Sequence, residues 1–543
     1  MSGVKQRNNK KDGNYVPSEE KLVDSKDSSA SAFTSTSCIL LFWKILGIRL
    51  ANALLTTTYF QADEFYQCLE PAHKLAFGYG YITWEWNEKL RSSIHPWIYA
   101  IGYKLTSCLN IDIVVAPKVI GAILASIGEC FLYKFALNYS EGNVKLAKVA
   151  LIMSLINPFN WYIITRSFSN NFEMILTTIG LSCWPFNNND NKSIVIKKAL
   201  ISSAFGIISC IVRPTNAILW LCLGAHLLFR LKDIRAKLAL FILIETILIL
   251  SVNTVIDYLF YNEVTFPIYN FIQFNVIKSL SIFYGVAPWH FYIFQAIPIM
   301  TMTSLPFLIH YLISLKGYKS VLGISSFIVV GSFSLINHKE FRFIYPLQPV
   351  FILFVAMSIV ENYARVRRFA IPMIAINIAI AYFFTRVNER GVIDVIYYLR
   401  GTNESFGLLT PCHSTPWQSY LHNPNYNDGN SWALTCEPPL HLSKNSENNI
   451  MEEIKKYRDE SDMFYDDPTS FINENFPPVS YPTDVYQKGK KYAWPARLII
   501  FSPEEDLITS QLGTKYIECN RFFNSYFHWD SRRSGDVIVY CSK

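Results

Sequence analysis

Two adjacent carboxylates, Asp63 and Glu64, stand near the head of a polar, aromatic stretch, Tyr59–Pro96, that follows the first apolar run of the chain. A carboxylate beside a low-dielectric boundary can have its pKa raised and act as a general base near neutral pH. Acids at the start of a membrane loop can equally be merely solvated. If the stretch is helical, neighbouring side chains point about 100° apart, so one acid can face a cleft while the other meets a cation or water. The same stretch carries Gln67, Trp84, Glu85, Trp86, Arg91 and His95, with Trp97 directly after it. Its tryptophans suit a membrane-interface belt or a sugar-stacking platform. Much further on, His338, Lys339, Glu340 and Arg342 form the densest charge cluster between two apolar runs. Arginine and lysine bind phosphate strongly, arginine through a bidentate fork, so this cluster could hold a lipid-linked phosphate; helix-end snorkelling is the plainer alternative. Arg166 and Arg213, with Asn170 and Glu173 just after the first, add polar groups at the edges of other apolar runs.

The elements that must position these residues are membrane spans. Of 543 residues, 51% are hydrophobic and only 17% charged, with a mean hydropathy of +0.19; soluble chains carry about a quarter charged residues. The net charge of +7 is spread over short Lys/Arg clusters, which read as topology signals rather than a nucleic-acid patch. No zinc-finger spacing, Walker loop or GxGxxG is present, and no carboxylate constellation calls for a metal. Residues 1–38 read as a disordered cytosolic tail and 39–385 as a multi-span membrane domain that includes the loop 59–96. Residues 386–543 read as a luminal C-terminal domain. The first span, Ile39–Thr58, contains Lys44 and Arg49, both expected to face the bundle interior. About eleven crossings are expected, with the short run 98–109 re-entrant. Applying the positive-inside rule backwards from Arg365, Arg367 and Arg368 puts the loop, Arg166, Arg213 and the sequence HKEFRF (His338–Phe343) on one, luminal, face. In the C-terminal region Arg497–Phe501 and Asp536–Tyr540 read as strands. Cys412, Cys436, Cys519 and Cys541 read as disulfide-forming in an oxidising lumen, with the pairing open. The other seven cysteines, Cys38, Cys68, Cys108, Cys130, Cys183, Cys210 and Cys222, read as buried small apolar residues. Asn403-Glu-Ser405 is an N-glycosylation sequon on that face; those at Asn138 and Asn191 fall on the cytosolic side and are expected to stay unused.

ADEFYQCLEPAHKLAFGYGYITWEW followed by RSSIHPWIYA resembles the first luminal loop of the dolichol-phosphate-mannose-dependent mannosyltransferases. HKEFRF is similar to that family's HKExRF motif, and TRSFSNNFE (Thr165–Glu173) to its Arg–Ser–Asn–Glu segment. The resemblance spans roughly residues 39–390. It implies a polytopic α-helical, GT-C-like glycosyltransferase of the endoplasmic reticulum membrane, inverting, with dolichyl phosphate mannose as lipid-linked donor and no cofactor. By the same resemblance Asp63 is the base with Glu64 as alternate. His338, Lys339, Arg342, Arg213 and Arg166 bind the donor phosphate, and Gln67, Trp84, Glu85, Arg91, His95, Asn170 and Glu173 contact substrate. The YGYITWEW segment and the tail FHWDSRRSGDVIVY (Phe527–Tyr540) look most like the branch that adds a third, α-1,2-linked mannose to a GPI glycolipid precursor. The N-glycan branch is the nearest rival. Relatives of the fourth-mannose branch often have His-Pro before the acidic pair, where this chain has Gln61-Ala62. A non-enzymatic lipid transporter or scramblase is the alternative of another class, but no inverted repeat supports it.

Overall fold

The computed structural model describes residues 35–187, 191–278, 280–426, 429–440 and 450–543. Of the expected N-terminal tail, residues 1–34 lie outside this description, and Ser35–Cys38 already belong to the first helix, Ser35–Leu55. Among the described residues, seven helical segments are long and apolar enough to cross a membrane: Cys38–Leu55, Val115–Tyr139, Lys192–Val212, Arg235–Tyr261, Tyr292–Ile313, Phe341–Glu361 and Ala370–Arg400. Four further runs expected to cross form shorter helices, Val144–Ile156, Ser169–Cys183, Ala217–Arg230 and Val321–Leu335. At 1.5 Å per residue these reach only about 20–23 Å, short of a hydrocarbon core of about 30 Å. The run expected to be re-entrant is the helix Ile94–Cys108.

Burial separates the spans by role. In the apolar stretch of the span opening at HKEFRF, Phe341–Glu361, 83% of the residues are buried within the protein, whereas in that of Arg235–Tyr261 only 6% are. The first is the bundle's central post and the second a helix dressed for lipid. In the first helix, Arg49 is enclosed and paired with Glu129 of Val115–Tyr139, with Nε to Oε2 at 2.8 Å. Lys44 faces outward instead. Five residues of helix turn through about 500°, leaving the two side chains about 140° apart, so only one of them could point inward.

From Gly391 the chain builds a five-stranded sheet in the order β2-β1-β3-β5-β4, where β1 is Phe406–Leu409, β2 Ser431–Ala433, β3 Arg497–Phe501, β4 Tyr516–Ser525 and β5 Gly535–Ser542. β1 runs parallel to β2 and β3, while β5 is antiparallel to β3 and β4. Both runs read as strands from sequence lie here, in β3 and β5. They are apolar at successive positions because the sheet is covered on both faces. Ile499, Phe501, Val537 and Val539 pack with Tyr59, Phe65, Leu69 and Tyr103 of the polar stretch and its neighbour helix. Leu498, Ile500, Ile538 and Tyr540 pack with Phe464, Phe471 and Trp494 of the C-terminal region itself. One sheet face is therefore the floor on which the loop 59–96 rests. The four tail cysteines pair as Cys412–Cys436 and Cys519–Cys541. Of the seven others, all free, only Cys68 is buried as expected; Cys130, Cys183, Cys210 and Cys222 are half-buried, and Cys38 and Cys108 are exposed because they lie on outward faces of their helices.

Candidate active site

Asp63 and Glu64 begin a helical turn that opens into a π-turn over Phe65–Leu69, an irregularity that recurs at functional sites. Their side chains diverge, as adjacent helical positions must. Glu64 turns inward, its side chain 9% exposed, and accepts from Arg166 Nη1 at 2.9 Å. Burial pushes its carboxyl up, and Arg166 opposes the shift. Arg166 also donates to Thr58 O at 2.8 Å, Thr58 Oγ1 at 3.0 Å and Tyr162 O at 2.7 Å, so it is committed to the protein. Ser167 Oγ donates to Glu64 O at 2.9 Å. Together these contacts lock the loop entry onto the segment Thr165–Ser167. That segment can approach because residue 121 of Val115–Tyr139 is glycine: a Cβ there would stand 2.0 Å from Thr165 O.

Asp63 turns the other way, its side chain 22% exposed, and is ion-paired with Arg342 Nη1. The same guanidinium grips Glu340 in a fork, with Nε to Oε2 and Nη2 to Oε1 both at 2.7 Å. Gln61 Nε2 reaches Glu340 Oε2 at 3.3 Å and His338 Nε2 lies 3.2 Å from Oε1. Burial pushes the Glu340 carboxyl up, but Arg342 and His338 pull harder and hold it well below the ordinary carboxylate range. Two elements separated by nearly three hundred residues thus meet at one carboxylate–guanidinium contact. Asn170 Nδ2 donates to Arg342 O at 3.2 Å and steadies the turn that carries it.

A second layer of cations surrounds this contact. Arg213 caps the end of Lys192–Val212, donates to Ser169 Oγ at 3.1 Å and lies 3.8 Å from Glu173 Oε2. Burial brings its pKa down to about 10, and Arg91 and Arg342 repel it in the same direction. Arg91 is paired with Glu85, which also accepts from Gln67 Nε2 at 3.3 Å. Trp84 packs against Phe274 and Tyr284. His95 is buried and stacks on Phe172 with ring centroids 5.0 Å apart. The amide oxygens of Gln61, Gln67 and Asn170 and His95 Nδ1 are buried without a protein hydrogen-bond partner. These are atoms of the kind a polyhydroxyl ligand could meet.

The structure redistributes the expected phosphate set. His338, Arg342 and Arg213 form one charged cluster with Asp63. Arg166 stands apart in the Glu64 pair, because the inward acid needs its guanidinium. Lys339 Nζ is drawn to the carbonyls of Ala287, at 2.8 Å, and Ile336, where it ties down its own turn. Glu340, counted in the charge cluster from sequence but assigned no role in the site, orients Arg342 from two residues before it. The sequence reading passed over Glu70, whose Oε1 accepts from Trp417 N and Ser419 N, both at 3.0 Å, and so fixes the C-terminal region to the loop. Tyr59 OH to His413 O at 2.6 Å and Tyr66 OH to Thr415 O at 3.0 Å finish that seam. In the C-terminal region Asn403 is exposed, while Asn138 donates to Ser182 O and Trp184 O at 3.2 and 2.8 Å.

A bundle of apolar helices with an acid-bearing loop and an arginine cluster at one end is the layout of a membrane glycosyltransferase of the GT-C class. The crystal structure of ArnT from Cupriavidus metallidurans bound to undecaprenyl phosphate superposes with a TM-score of 0.56 over 93% of this chain and 98% of that one, at 12% identity. The Alg9-like mannosyltransferase family matches residues 40–422, and the chain belongs to that family; it is a multi-pass membrane mannosyltransferase. GPI mannosyltransferase 3 of Debaryomyces hansenii is 54% identical over 96% of each chain. The protein of the same name in Candida albicans is 51% identical over 94% of this chain and 99% of its own, and that of Saccharomyces cerevisiae 36% over 92% and 95%. Family membership implies a lipid-linked sugar donor and a glycolipid acceptor.

Proposed function

We propose that this chain transfers mannose from dolichyl phosphate mannose onto the second mannose of a GPI-anchor precursor, in α-1,2 linkage, on the luminal face of the endoplasmic reticulum membrane. The observation that carries the chemistry is the partly exposed Asp63 carboxylate held on the Arg342 guanidinium. The near-full-length similarity to proteins named GPI mannosyltransferase 3 supports the acceptor class. In one inverting displacement the acceptor hydroxyl oxygen bonds to the anomeric carbon as the bond from that carbon to the phosphate oxygen breaks. The hydroxyl proton passes to Asp63, and the electron pair leaves with dolichyl phosphate. Negative charge thereby moves from the carboxylate to the phosphate. Arg342 touches the first of these sites, with Arg213 and His338 in the same cluster to receive the second, so the cluster favours the charge as it moves. Phosphate is a good leaving group and calls for charge stabilisation rather than a general acid. Lys339 and Arg166 act here by holding turns, and Gln67, Glu85, Arg91, Asn170 and His95 border the sugar subsite. Depleting the protein from cells and profiling lipid intermediates tests the acceptor: a two-mannose GPI precursor accumulates if the reading is right, whereas truncated N-glycan precursors would overturn it.

A further inference from the structure

The tip of the β4–β5 hairpin carries three large aromatics that the described residues leave mostly uncovered. Tyr526 is 74% exposed, Phe527 60% and Trp529 87%. Burying an aromatic is worth kilocalories, so three left bare on one short turn mark an interaction surface. The place of the turn identifies its partner. Phe527 stacks on Phe383, with centroids 6.0 Å apart and planes 18° from parallel. Phe383 directly follows Ala370–Tyr382, a helix whose outward residues Ile371, Ile378 and Tyr382 are 81%, 64% and 62% exposed and so face lipid. The hairpin is pinned at that level. Asn524 O accepts from Glu389 N at 2.9 Å, Asn524 Oδ1 accepts from Val392 N at 3.3 Å, and a Cβ on Gly391 would stand 2.9 Å from Phe523 O. The first span leaves the bundle at the same height, since Thr57 N donates to Thr385 O at 3.0 Å and Arg386 Nη1 to Leu55 O at 3.0 Å. The aromatic tip is thus continuous with the bilayer-facing surface where two spans end.

We infer that Tyr526, Phe527 and Trp529 insert into the headgroup region of the adjacent leaflet and anchor the C-terminal sheet to the bilayer. Tyrosine and tryptophan suit that depth because each joins an apolar ring to a polar edge. With the sheet's other attachments made to the loop 59–96 and to Glu389–Val392, the anchor gives the floor of the site a further fixed point, on lipid.

The test uses the full chain reconstituted in phosphatidylcholine bilayers with and without lipid brominated on the acyl carbons nearest the headgroup. Tryptophan emission of the wild type is compared with that of W529F, so the other eleven tryptophans cancel. At 87% exposure Trp529 has little packing to lose, and mannose transfer by W529F should match the wild type, which verifies its fold. The wild-type-minus-variant spectrum is expected to be blue-shifted and quenched by the brominated lipid. A difference spectrum that stays water-like, or one that is blue-shifted but unquenched, would overturn the anchor. Neither result depends on which acceptor the enzyme uses.

Discussion

Replacing Arg166 by methionine separates a positioning role from a chemical one. The substitution keeps much of the side chain's volume but removes four hydrogen bonds, to Glu64, Thr58 O, Thr58 Oγ1 and Tyr162 O. It also strands Glu64, a carboxyl already pushed up by burial. Breaking one side of a buried ion pair costs about 3–5 kcal/mol. Two buried carbonyls without donors add about 1 kcal/mol each, so R166M is expected to lose about 5–7 kcal/mol. E64Q leaves Arg166 its other three acceptors and should cost about 1–3 kcal/mol. The double variant should be more stable than R166M alone, since it removes the stranded acid. Unfolding of purified protein in mixed micelles with increasing SDS measures all three. R166M as stable as the wild type, or a double variant no better than R166M, would refute the account of this pair. Transfer activity supplies the second half: E64Q should keep measurable turnover, because Glu64 is paired with Arg166, apart from the Asp63–Arg342 contact.

Two further predictions concern the seams that hold the site together. Burial pushes Glu70 from 4.5 up to about 7. A raised carboxyl pKa means stability is fully present below the unfolded value and is lost as pH rises through the folded one. Attachment of the C-terminal region should therefore weaken between about pH 4.5 and pH 7, by roughly 3 kcal/mol at most, and E70Q should flatten that slope in thermal unfolding measured across the range. An unchanged slope in E70Q would assign the pH dependence elsewhere. G121A should destabilise by about 1–3 kcal/mol through the clash with Thr165 O, read as a lower SDS midpoint; a midpoint equal to the wild type would show that Thr165–Arg166 can shift freely.

Much of this arrangement was legible in the residues because it follows from strong, local rules. Long apolar runs set the spans, and the motifs around Asp63 and Arg342 marked the two elements that meet. Alternation was hidden in β3 and β5 by burial on both faces, yet their apolar runs still read as strands. What stayed illegible depended on contacts between distant positions. The divergence of Asp63 and Glu64 was expected from helix geometry, but which acid met which arginine depended on how Thr165–Ser167 crosses Gly121. Arg166 was grouped with the phosphate binders because it lies on the same face; a shared face does not say that its donors are free. Glu70 gave no signal because its partners are backbone amides of Trp417 and Ser419, some three hundred and fifty residues away. The tail cysteines could be read as disulfide-forming, but pairing 412 with 436 and 519 with 541 needed the sheet.

The central claim is that Asp63 takes the acceptor proton, and D63N tests it most directly. The substitution is nearly isosteric and falls on a side chain that is not enclosed, so protein level and SDS midpoint should stay close to the wild type. Removing a general base costs about 10²–10⁴ in rate. Mannose transfer assayed in microsomes with dolichyl phosphate mannose is therefore expected to fall by that factor in D63N while E64Q remains active. Wild-type turnover in D63N, or loss in E64Q alone at unchanged stability, would contradict the assignment.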